Sequence, residues 1–249
     1  MFLLIILLIL GIAHESGSSG NSSSSSVAPP AQAAQQKAEH RSIGVSAKSN
    51  EAVRMEAQGL VNVKSYAPDI VVQLAYASSN NILRTQLYDS FSEAYLQKNA
   101  AVKLALAQRI IKNHNPSFSI VVHDAARPQR VQLRCWEIAR ARRLQYLFTP
   151  PGNISMHTYG VAVDVSLISL STGAEVDMGS SPDEPGALAA PKRERSLLQS
   201  GKLTAQQYAN RLLLRKAMQE AGFSPIGNEW WHFEACSRRE AREKYRPIL

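Results

Sequence analysis

Three short patches of the sequence combine residue types that bind metals, move protons and hold oxyanions. They read SMHTYGVAVD at 155–164, EWWH at 229–232 and HDAARP at 123–128. Imidazole nitrogens and carboxylate oxygens are the usual ligands of a catalytic zinc. A nearby carboxylate serves as a base, and a guanidinium stabilises developing negative charge. Together these side chains fit metal-assisted hydrolysis.

The first patch offers two metal ligands. A strand is predicted after Gly160, with its valines on one face and Asp164 beside the small Ala162 on the other. Gly160 allows a sharp turn that brings the imidazole of His157 back towards this face. Alone, His157 fits an ordinary surface or capping role, whereas a carboxylate within a valine-rich strand is costly unless it is paired or bound to metal.

The other two patches supply the remaining chemistry. His232 is a third ligand, and Glu229, three residues earlier among aromatic residues, is a candidate base for a metal-activated water. The segment 229–232 is also compatible with an aromatic core strand that has one polar edge. Arg127 ends a predicted strand, where its guanidinium could stabilise an oxyanion. Considered alone, Arg127 is better explained by a structural ion pair with a surface acid.

The combined pattern SxHxxGxAxD followed by ExxH resembles the zinc peptidases that include D-alanyl-D-alanine dipeptidases, D,D-carboxypeptidases and some wall endopeptidases. Two further segments, EWWHF at 229–233 and STGAEVDMGS at 171–180, resemble the dipeptidases of the vancomycin-resistance type. The resemblance runs from about Tyr66 to the C-terminus. It implies one Zn²⁺ per chain, held by His157, Asp164 and His232.

The resemblance also implies roles for five other residues. Glu229 would be the general base and then the general acid, and Arg127 would polarise the scissile carbonyl. Ser155 would meet the carboxylate of the dipeptide. Tyr76 and Asp183 would line the pocket for the amino end of the substrate.

Two departures from the family pattern bear on specificity. Ala125 and Ala126 stand where the family usually has Gly-Tyr, and Pro182 stands where an aromatic residue usually precedes Asp183. Both changes put strict dipeptide selectivity in doubt without touching the metal ligands.

The function expected from the motifs is zinc-dependent hydrolysis of D-alanyl-D-alanine to two D-alanines, in salvage or turnover of peptidoglycan dipeptides. A D,D-carboxypeptidase or wall endopeptidase on the same scaffold is the nearest alternative. A non-catalytic zinc-containing module that binds the envelope is an alternative from another class. The presence of both Glu229 and Arg127 argues against that module, because a structural zinc site needs neither residue.

Composition divides the 249 residues into three segments. Residues 1–13 are apolar and signal-like, although they lack a basic start, and they are shorter than the ~20 residues that span a bilayer. Residues 14–59, rich in Ser, Gly, Ala and Gln, are predicted to be a flexible tether. Residues 60–249 are the predicted catalytic domain. A working signal predicts a periplasmic or envelope location, and otherwise the location is cytoplasmic.

Charge and cysteine usage add two limits. The net charge is 28 − 20 = +8, and residues 1–60 carry four basic and four acidic groups, so the excess lies after residue 60. A basic surface favours anionic surroundings such as the cell envelope, although a merely soluble basic surface explains it equally well. No nucleic-acid-binding motif is present, and we expect no nucleic-acid partner. Cys135 and Cys236 fit either one disulfide or two thiols, and the oligomeric state is left open.

Helix and strand patterns alternate irregularly after residue 60. Strands are predicted at 70–77, 118–123, 161–167 and 230–235, and helices at 96–113, 130–148 and from the capping box of Thr204 and Gln207 to Gly222. This order predicts an α+β single domain with a mostly antiparallel sheet and flanking helices around the zinc site.

Overall fold

A computed structural model describes residues 48–249 of the protein. The predicted signal segment 1–13 and the predicted tether up to residue 47 lie outside the described residues.

The last part of the predicted tether is folded. Helix α1 (Asn50–Ala57) begins at Ser49, whose hydroxyl accepts a hydrogen bond from the backbone N–H of Ala52. Ala52 and Met55 are completely buried in the hydrophobic core. The predicted boundary at residue 60 is therefore wrong. The segment is polar overall, and a stripe of only two apolar side chains was too narrow a signal for a packed helix.

The remaining elements of residues 48–249 follow in chain order. The strands are β1 (Val61–Asn62), β2 (Val71–Val72), β3 (Tyr95–Leu96), β4 (Phe118–Asp124), β5 (Ala162–Ser169), β6 (Ser224–Pro225) and β7 (His232–Glu234). The helices after α1 are α2 (Lys98–His114), α3 (Gln129–Ala141), α4 (Glu194–Gln199), α5 (Ala205–Glu220) and α6 (Arg238–Lys244).

Five strands form one sheet in the order β2-β4-β5-β7-β6. Strand β2 pairs with β4 in parallel, and the other three pairs are antiparallel. Strands β1 and β3 form a separate antiparallel pair. Helix α2 packs against α5 and β4. The predicted α+β domain with a mostly antiparallel sheet is confirmed.

Most residues of the central strands β4 and β5 are buried, and because successive side chains point to opposite faces, both faces of the sheet are covered there. All residues of β5 up to Ile168 are buried, including Asp164. The capping box of α5 forms as predicted, with Thr204 and Gln207 bonding reciprocally. None of the helices within the described residues has the length and apolar character needed to cross a membrane.

Two predicted elements are shorter than the sequence pattern indicates. The strand expected at 70–77 ends at Val72, and the chain then forms a 3₁₀ turn over Ala75–Ala77 that buries Tyr76. The helix expected at 130–148 ends at Ala141, and a 3₁₀ turn follows at Gln145–Leu147. The apolar run at 70–77 is compatible with a strand and with a buried turn, and the spacing of its apolar residues does not distinguish the two.

Candidate active site

His157 is placed by a tight turn immediately before β5. The 3₁₀ turn His157–Tyr159 ends at Gly160, whose φ of 70° lies in the left-handed region. A Cβ atom at Gly160 would also lie 2.9 Å from Leu60 Cδ2, so a larger residue is excluded by both conformation and space. His157 Nδ1 lies 2.8 Å from the carbonyl oxygen of Ala125. Because a carbonyl only accepts, Nδ1 carries the hydrogen and Nε2 is free to act as a ligand.

Asp164 and His232 lie side by side on neighbouring strands. They are register partners in the antiparallel pair β5–β7. His232 Nδ1 is 2.9 Å from Asp164 Oδ1, and His157 Nε2 is 3.4 Å from Asp164 Oδ2. The two ring nitrogens, His157 Nε2 and His232 Nδ1, are 3.2 Å apart. Three buried side chains from two separate segments of the sequence therefore direct ligand atoms to one point.

This arrangement fits a zinc ion. Ligands 2.0–2.1 Å from a tetrahedral zinc are about 3.3 Å from one another, close to the distances among these three side chains, whose candidate ligand atoms all lie within 4.8 Å. Two imidazoles and one carboxylate leave the fourth position open, as in catalytic rather than structural zinc sites. The outer nitrogen of His232, Nε2, lies 3.6 Å from Glu234 Oε1, an outer partner of the kind that orients a ligating histidine.

The three side chains are strongly coupled electrostatically. Burial alone would raise the pKa of Asp164, but the charges and hydrogen bonds of His157 and His232 outweigh it and lower that pKa. Burial alone would lower the pKa of His232, but its hydrogen bond to Asp164 and its proximity to Glu234 raise it to about 10. The carboxylate is thus held ionised, which a metal ligand requires.

Glu229 lies at the edge of the cluster, three residues before His232. Its Oε2 atom is 4.0 Å from His232 Nδ1, and its side chain is largely buried. Burial raises the pKa of Glu229. The backbone N–H of Trp230 donates to the carbonyl of Ala189 at 2.9 Å, which fixes the chain next to Glu229. A carboxylate in this position can exchange a proton with a group bound beside the cluster.

Arg127 is buried and held rigidly by two side chains. Its Nε and Nη2 atoms donate to Asp124 Oδ2, with the Nε bond at 2.8 Å, and Nη1 donates to Gln132 Oε1 at 2.8 Å. The backbone N–H of Arg127 donates to the carbonyl of His157 at 3.1 Å, linking the two motifs. The sequence reasoning missed Asp124 and Gln132 as anchors. An acidic residue three positions before Arg127 could have indicated an ion pair, whereas nothing in the sequence indicated that Gln132 would bond to Arg127.

The three predicted pocket residues also lie here. The Tyr76 hydroxyl donates to Asp183 Oδ2 at 3.3 Å, and the guanidinium carbon of Arg127 lies 5.0 Å from the centre of the Tyr76 ring. Burial, together with the charge of Asp164, raises the pKa of Asp183 to about 7. Ser155 is buried, and its hydroxyl accepts from the backbone N–H of His157 at 3.3 Å.

One cavity of about 590 Å³ is lined by all eight residues singled out in the sequence. They are Tyr76, Arg127, Ser155, His157, Asp164, Asp183, Glu229 and His232. Cys135 and Cys236, in contrast, are not bonded to each other and lie outside this cavity. The chain therefore has a concave site with a ligand cluster, a carboxylate and a fixed guanidinium, which is the equipment of a metal-dependent hydrolase.

Comparison with known proteins shows which family this chain belongs to. Residues 56–246 match the peptidase family model described as D-Ala-D-Ala dipeptidase. The chain belongs to this peptidase family, as the resemblance of its motifs predicted.

Curated relatives agree with the family match. The chain is 32% identical to the D-alanyl-D-alanine dipeptidase of Escherichia coli (strain K12) over 175 residues, covering 70% of this chain and 83% of the relative. It is 28% identical to the protein of that name from Synechocystis, over 59% of this chain and 71% of the relative. A shorter match, 35% identical over 79 residues, joins it to the Enterococcus faecium protein of that name, covering 32% of this chain and 36% of the relative.

Proposed function

We propose that this chain hydrolyses D-alanyl-D-alanine to two D-alanines, with one Zn²⁺ held by His157, Asp164 and His232. The observation that carries the proposal is the convergence of these three ligand atoms within 4.8 Å, with Glu229 4.0 Å from one of them. Membership of the D-Ala-D-Ala dipeptidase family supports the substrate.

The ion would supply Lewis acidity, lowering the pKa of a bound water towards ~7 and polarising the scissile carbonyl. The protein supplies the proton transfers. The Glu229 carboxylate takes a proton from the attacking water and later gives it to the nitrogen of the leaving D-alanine. Burial raises the pKa of Glu229, which makes its carboxylate a stronger base than a solvated one.

Arg127 stabilises the oxyanion that forms as water attacks. Its three guanidinium nitrogens already donate to Asp124 and Gln132, but each terminal nitrogen carries a second hydrogen that is available to substrate. Because both anchors are buried, the guanidinium needs no reorganisation when the charge develops.

The remaining pocket residues orient the dipeptide. Asp183 and Tyr76 form a hydrogen-bonded pair suited to the substrate's ammonium group. Ser155 offers a hydroxyl to the carboxylate at the other end. Because the two ends of the dipeptide would be bound by different groups, its peptide bond would be held in one orientation beside Glu229.

A D,D-carboxypeptidase or wall endopeptidase remains the second candidate, favoured by Ala125, Ala126 and Pro182 where the family usually has other residues. The deciding assay measures release of D-alanine from free D-Ala-D-Ala and from a muropeptide that ends in D-Ala-D-Ala. We expect the free dipeptide to be the better substrate, hydrolysis to stop with a chelator, and zinc to restore it. Faster cleavage of the muropeptide, or activity that survives metal removal, would contradict the proposal.

We further propose that the enzyme works outside the cytoplasm, in salvage of wall-derived dipeptide or in wall turnover. The support is the signal-like segment 1–13. Cell fractionation followed by detection of the protein tests this location. We expect it in the periplasmic or envelope fraction, and a purely cytosolic signal would contradict export.

A further inference from the structure

A loop carries Asp183 into the active-site cavity. Residues 178–188 form this loop, which contains no regular element before the 3₁₀ turn Ala187–Ala189 at its end. Asp183 has a φ of 62°, a backbone conformation that residues other than glycine adopt uncommonly. Such a conformation persists only where the surrounding structure fixes it. The position of Asp183 therefore depends on what holds the ends of this loop, which we call the Asp183 loop.

One buried side chain holds both ends of the Asp183 loop. The side chain of Arg211, on α5, is completely buried. Its Nε atom donates to the carbonyl of Met178 at 2.6 Å, and its Nη1 atom donates to the carbonyl of Leu188 at 2.8 Å. Its Nη2 atom donates to the hydroxyl of Ser180 at 3.2 Å. Because the guanidinium is planar and rigid, these bonds fix three points of the loop relative to one another.

Trp230 adds a second support to the same loop. The guanidinium carbon of Arg211 lies 5.2 Å from the centre of the Trp230 ring, and the indole N–H of Trp230 donates to the hydroxyl of Ser180 at 3.0 Å. The Ser180 hydroxyl thus accepts from both Arg211 and Trp230. Linked hydrogen bonds of this kind strengthen one another inside a protein. The Asp183 loop is therefore held by a connected network rather than by a single bond.

A neighbouring arginine separates the role of Arg211 from that of an ordinary ion pair. Arg215, one turn further along α5, donates to both carboxylate oxygens of the buried Glu194 at 2.6 and 2.7 Å. Arg211 Nη1 lies 3.5 Å from the same carboxylate. Among the described residues, no hydrogen bond joins Arg215 to the Asp183 loop. Arg215 is therefore the main partner of Glu194, whereas the shortest bonds of Arg211 are those to the loop.

We propose that Arg211 and Ser180 are positioning residues that place Asp183 for the ammonium group of the dipeptide. Neither residue lines the active-site cavity, so both act through the Asp183 loop rather than on the substrate itself. The attraction between an ammonium group and a carboxylate falls with their separation, so a displaced loop weakens it. This inference rests on the proposed function and assigns part of its substrate binding to contacts made by helix α5.

The first test measures the steady-state kinetics of the zinc-loaded Arg211→Lys variant on D-Ala-D-Ala. Lysine keeps a positive charge near Glu194 but cannot reproduce the three bonds of the guanidinium to the loop. We expect KM to rise about tenfold, because a misplacement of ~1 Å can cost up to ~10², while kcat stays close to that of the wild type. A merely structural role would reduce the folded fraction, which lowers the apparent kcat and leaves KM unchanged.

A milder variant and a matched control keep the test decisive if Arg211→Lys fails to fold. Ser180→Ala removes only the hydroxyl that Arg211 and Trp230 share, and we expect it to raise KM about threefold. The control Arg215→Lys makes the same exchange beside the same carboxylate without a bond to the loop, and its KM should equal that of the wild type. An unchanged KM in Ser180→Ala, or an equal rise in the control, would overturn the proposal.

A binding measurement separates this inference from the proposed function. The two ligands are D-Ala-D-Ala and propionyl-D-alanine, in which a hydrogen replaces the ammonium group, and calorimetry in a zinc-loaded Glu229→Gln background measures both affinities without turnover. Tighter binding of D-Ala-D-Ala that is lost when Ser180→Ala is added supports the positioning role even if no hydrolysis is found. Equal affinities for the two ligands, or a preference that Ser180→Ala leaves unchanged, overturn that role, and hydrolysis by the wild type would still leave the proposed function intact.

Discussion

Asp164 illustrates why the site residues form one unit. An ionised carboxylate buried in a central strand is unfavourable unless its oxygens are compensated, and here two imidazole nitrogens lie 2.9 and 3.4 Å from them. The same three side chains present their lone pairs to a common point. The stability of this part of the sheet and its proposed metal binding thus depend on the same contacts.

Substitution of Glu229 by glutamine tests its role as the proton carrier. Glutamine keeps the size of the side chain but cannot accept the proton, so we expect kcat to fall by about 10²–10⁴. Since Glu229 is 4.0 Å from the nearest ligand nitrogen, zinc content should stay at one per chain. Steady-state kinetics with metal analysis measures both quantities. Loss of zinc in this variant would instead make Glu229 a ligand.

Arg127 is best tested by lysine rather than by alanine. Removing its charge entirely would leave Asp124 buried and unpaired, a change that typically costs 3–5 kcal/mol in stability. Lysine retains the positive charge but cannot contact Asp124, Gln132 and substrate at once. We expect kcat/KM to fall by about 10², with an unfolding transition near that of the wild type. Activity within twofold of the wild type would refute the role of Arg127.

At the level of elements, helix α1 extends the domain beyond the boundary indicated by composition. Met55 is completely buried. Met55→Ala should therefore lower the free energy of unfolding by about 2–5 kcal/mol, as measured by denaturant titration. The exposed Val53 on the same helix provides a control, and Val53→Ala should change it little. A cost for Met55→Ala below about 0.5 kcal/mol would mean that α1 does not contribute to the core.

A second contact between elements is sensitive to pH. The Nε2 atom of His123, on β4, lies 3.3 Å from Oε2 of Glu175. Glu175 belongs to the loop that runs from β5 towards Asp183. Burial alone would lower the pKa of His123, but Glu175 outweighs it and raises that pKa above 6.5. Burial alone would likewise raise the pKa of Glu175, but His123 lowers it below 4.5.

The sign of the pH dependence follows from these two directions. The contribution of His123 is complete below pH 6.5 and is lost as pH rises through its higher folded-state pKa. The contribution of Glu175 is complete above pH 4.5 and is lost as pH falls through its lower folded-state pKa. The pair therefore stabilises the protein most between about pH 4.5 and 6.5.

Comparing the wild type with Glu175→Gln isolates this pair from other titrating groups. Between pH 5.5 and 8.5 the wild type should lose more unfolding free energy than the variant. The difference should stay below about 1 kcal/mol because Glu175 is partly exposed. Parallel pH profiles for the two proteins would show that the pair contributes nothing.

The sequence predicts the parts of this site that lie on regular elements. Asp164 and His232 fall on strands, and Gly160 signals the turn that positions His157, so residue type and spacing suffice. Tyr76 and Asp183 are 107 positions apart and meet through a 3₁₀ turn and a loop where Asp183 has a φ of 62°. No periodicity encodes that meeting, and only the resemblance to a family predicted it.

The basic run at 192–195 shows the same limit in another form. The run of Lys192, Arg193 and Arg195 is visible in the sequence, but its division between cavity and outer surface depends on where Glu194 is buried. That burial is set by Arg211 and Arg215 on α5, which are distant in the sequence. Long-range ion pairs of this kind leave no local pattern.

For the molecule as a whole, the proposed metal site, the cavity and the basic charge lie in the same region of the domain. The excess of basic residues lies after residue 60, and Lys192, Arg193 and Arg238 are among the residues that line the cavity containing the ligand cluster. A domain that binds zinc only when folded should also become more stable as zinc is added.

The most direct measurement is a zinc titration of metal-depleted protein, in which bound metal and release of D-alanine from D-Ala-D-Ala are followed together. We expect both signals to rise in parallel and to saturate at one zinc per chain, and Asp164→Asn to show neither at the same zinc concentrations. Full hydrolysis without zinc, or one bound zinc with no hydrolysis in the wild type, would contradict the account.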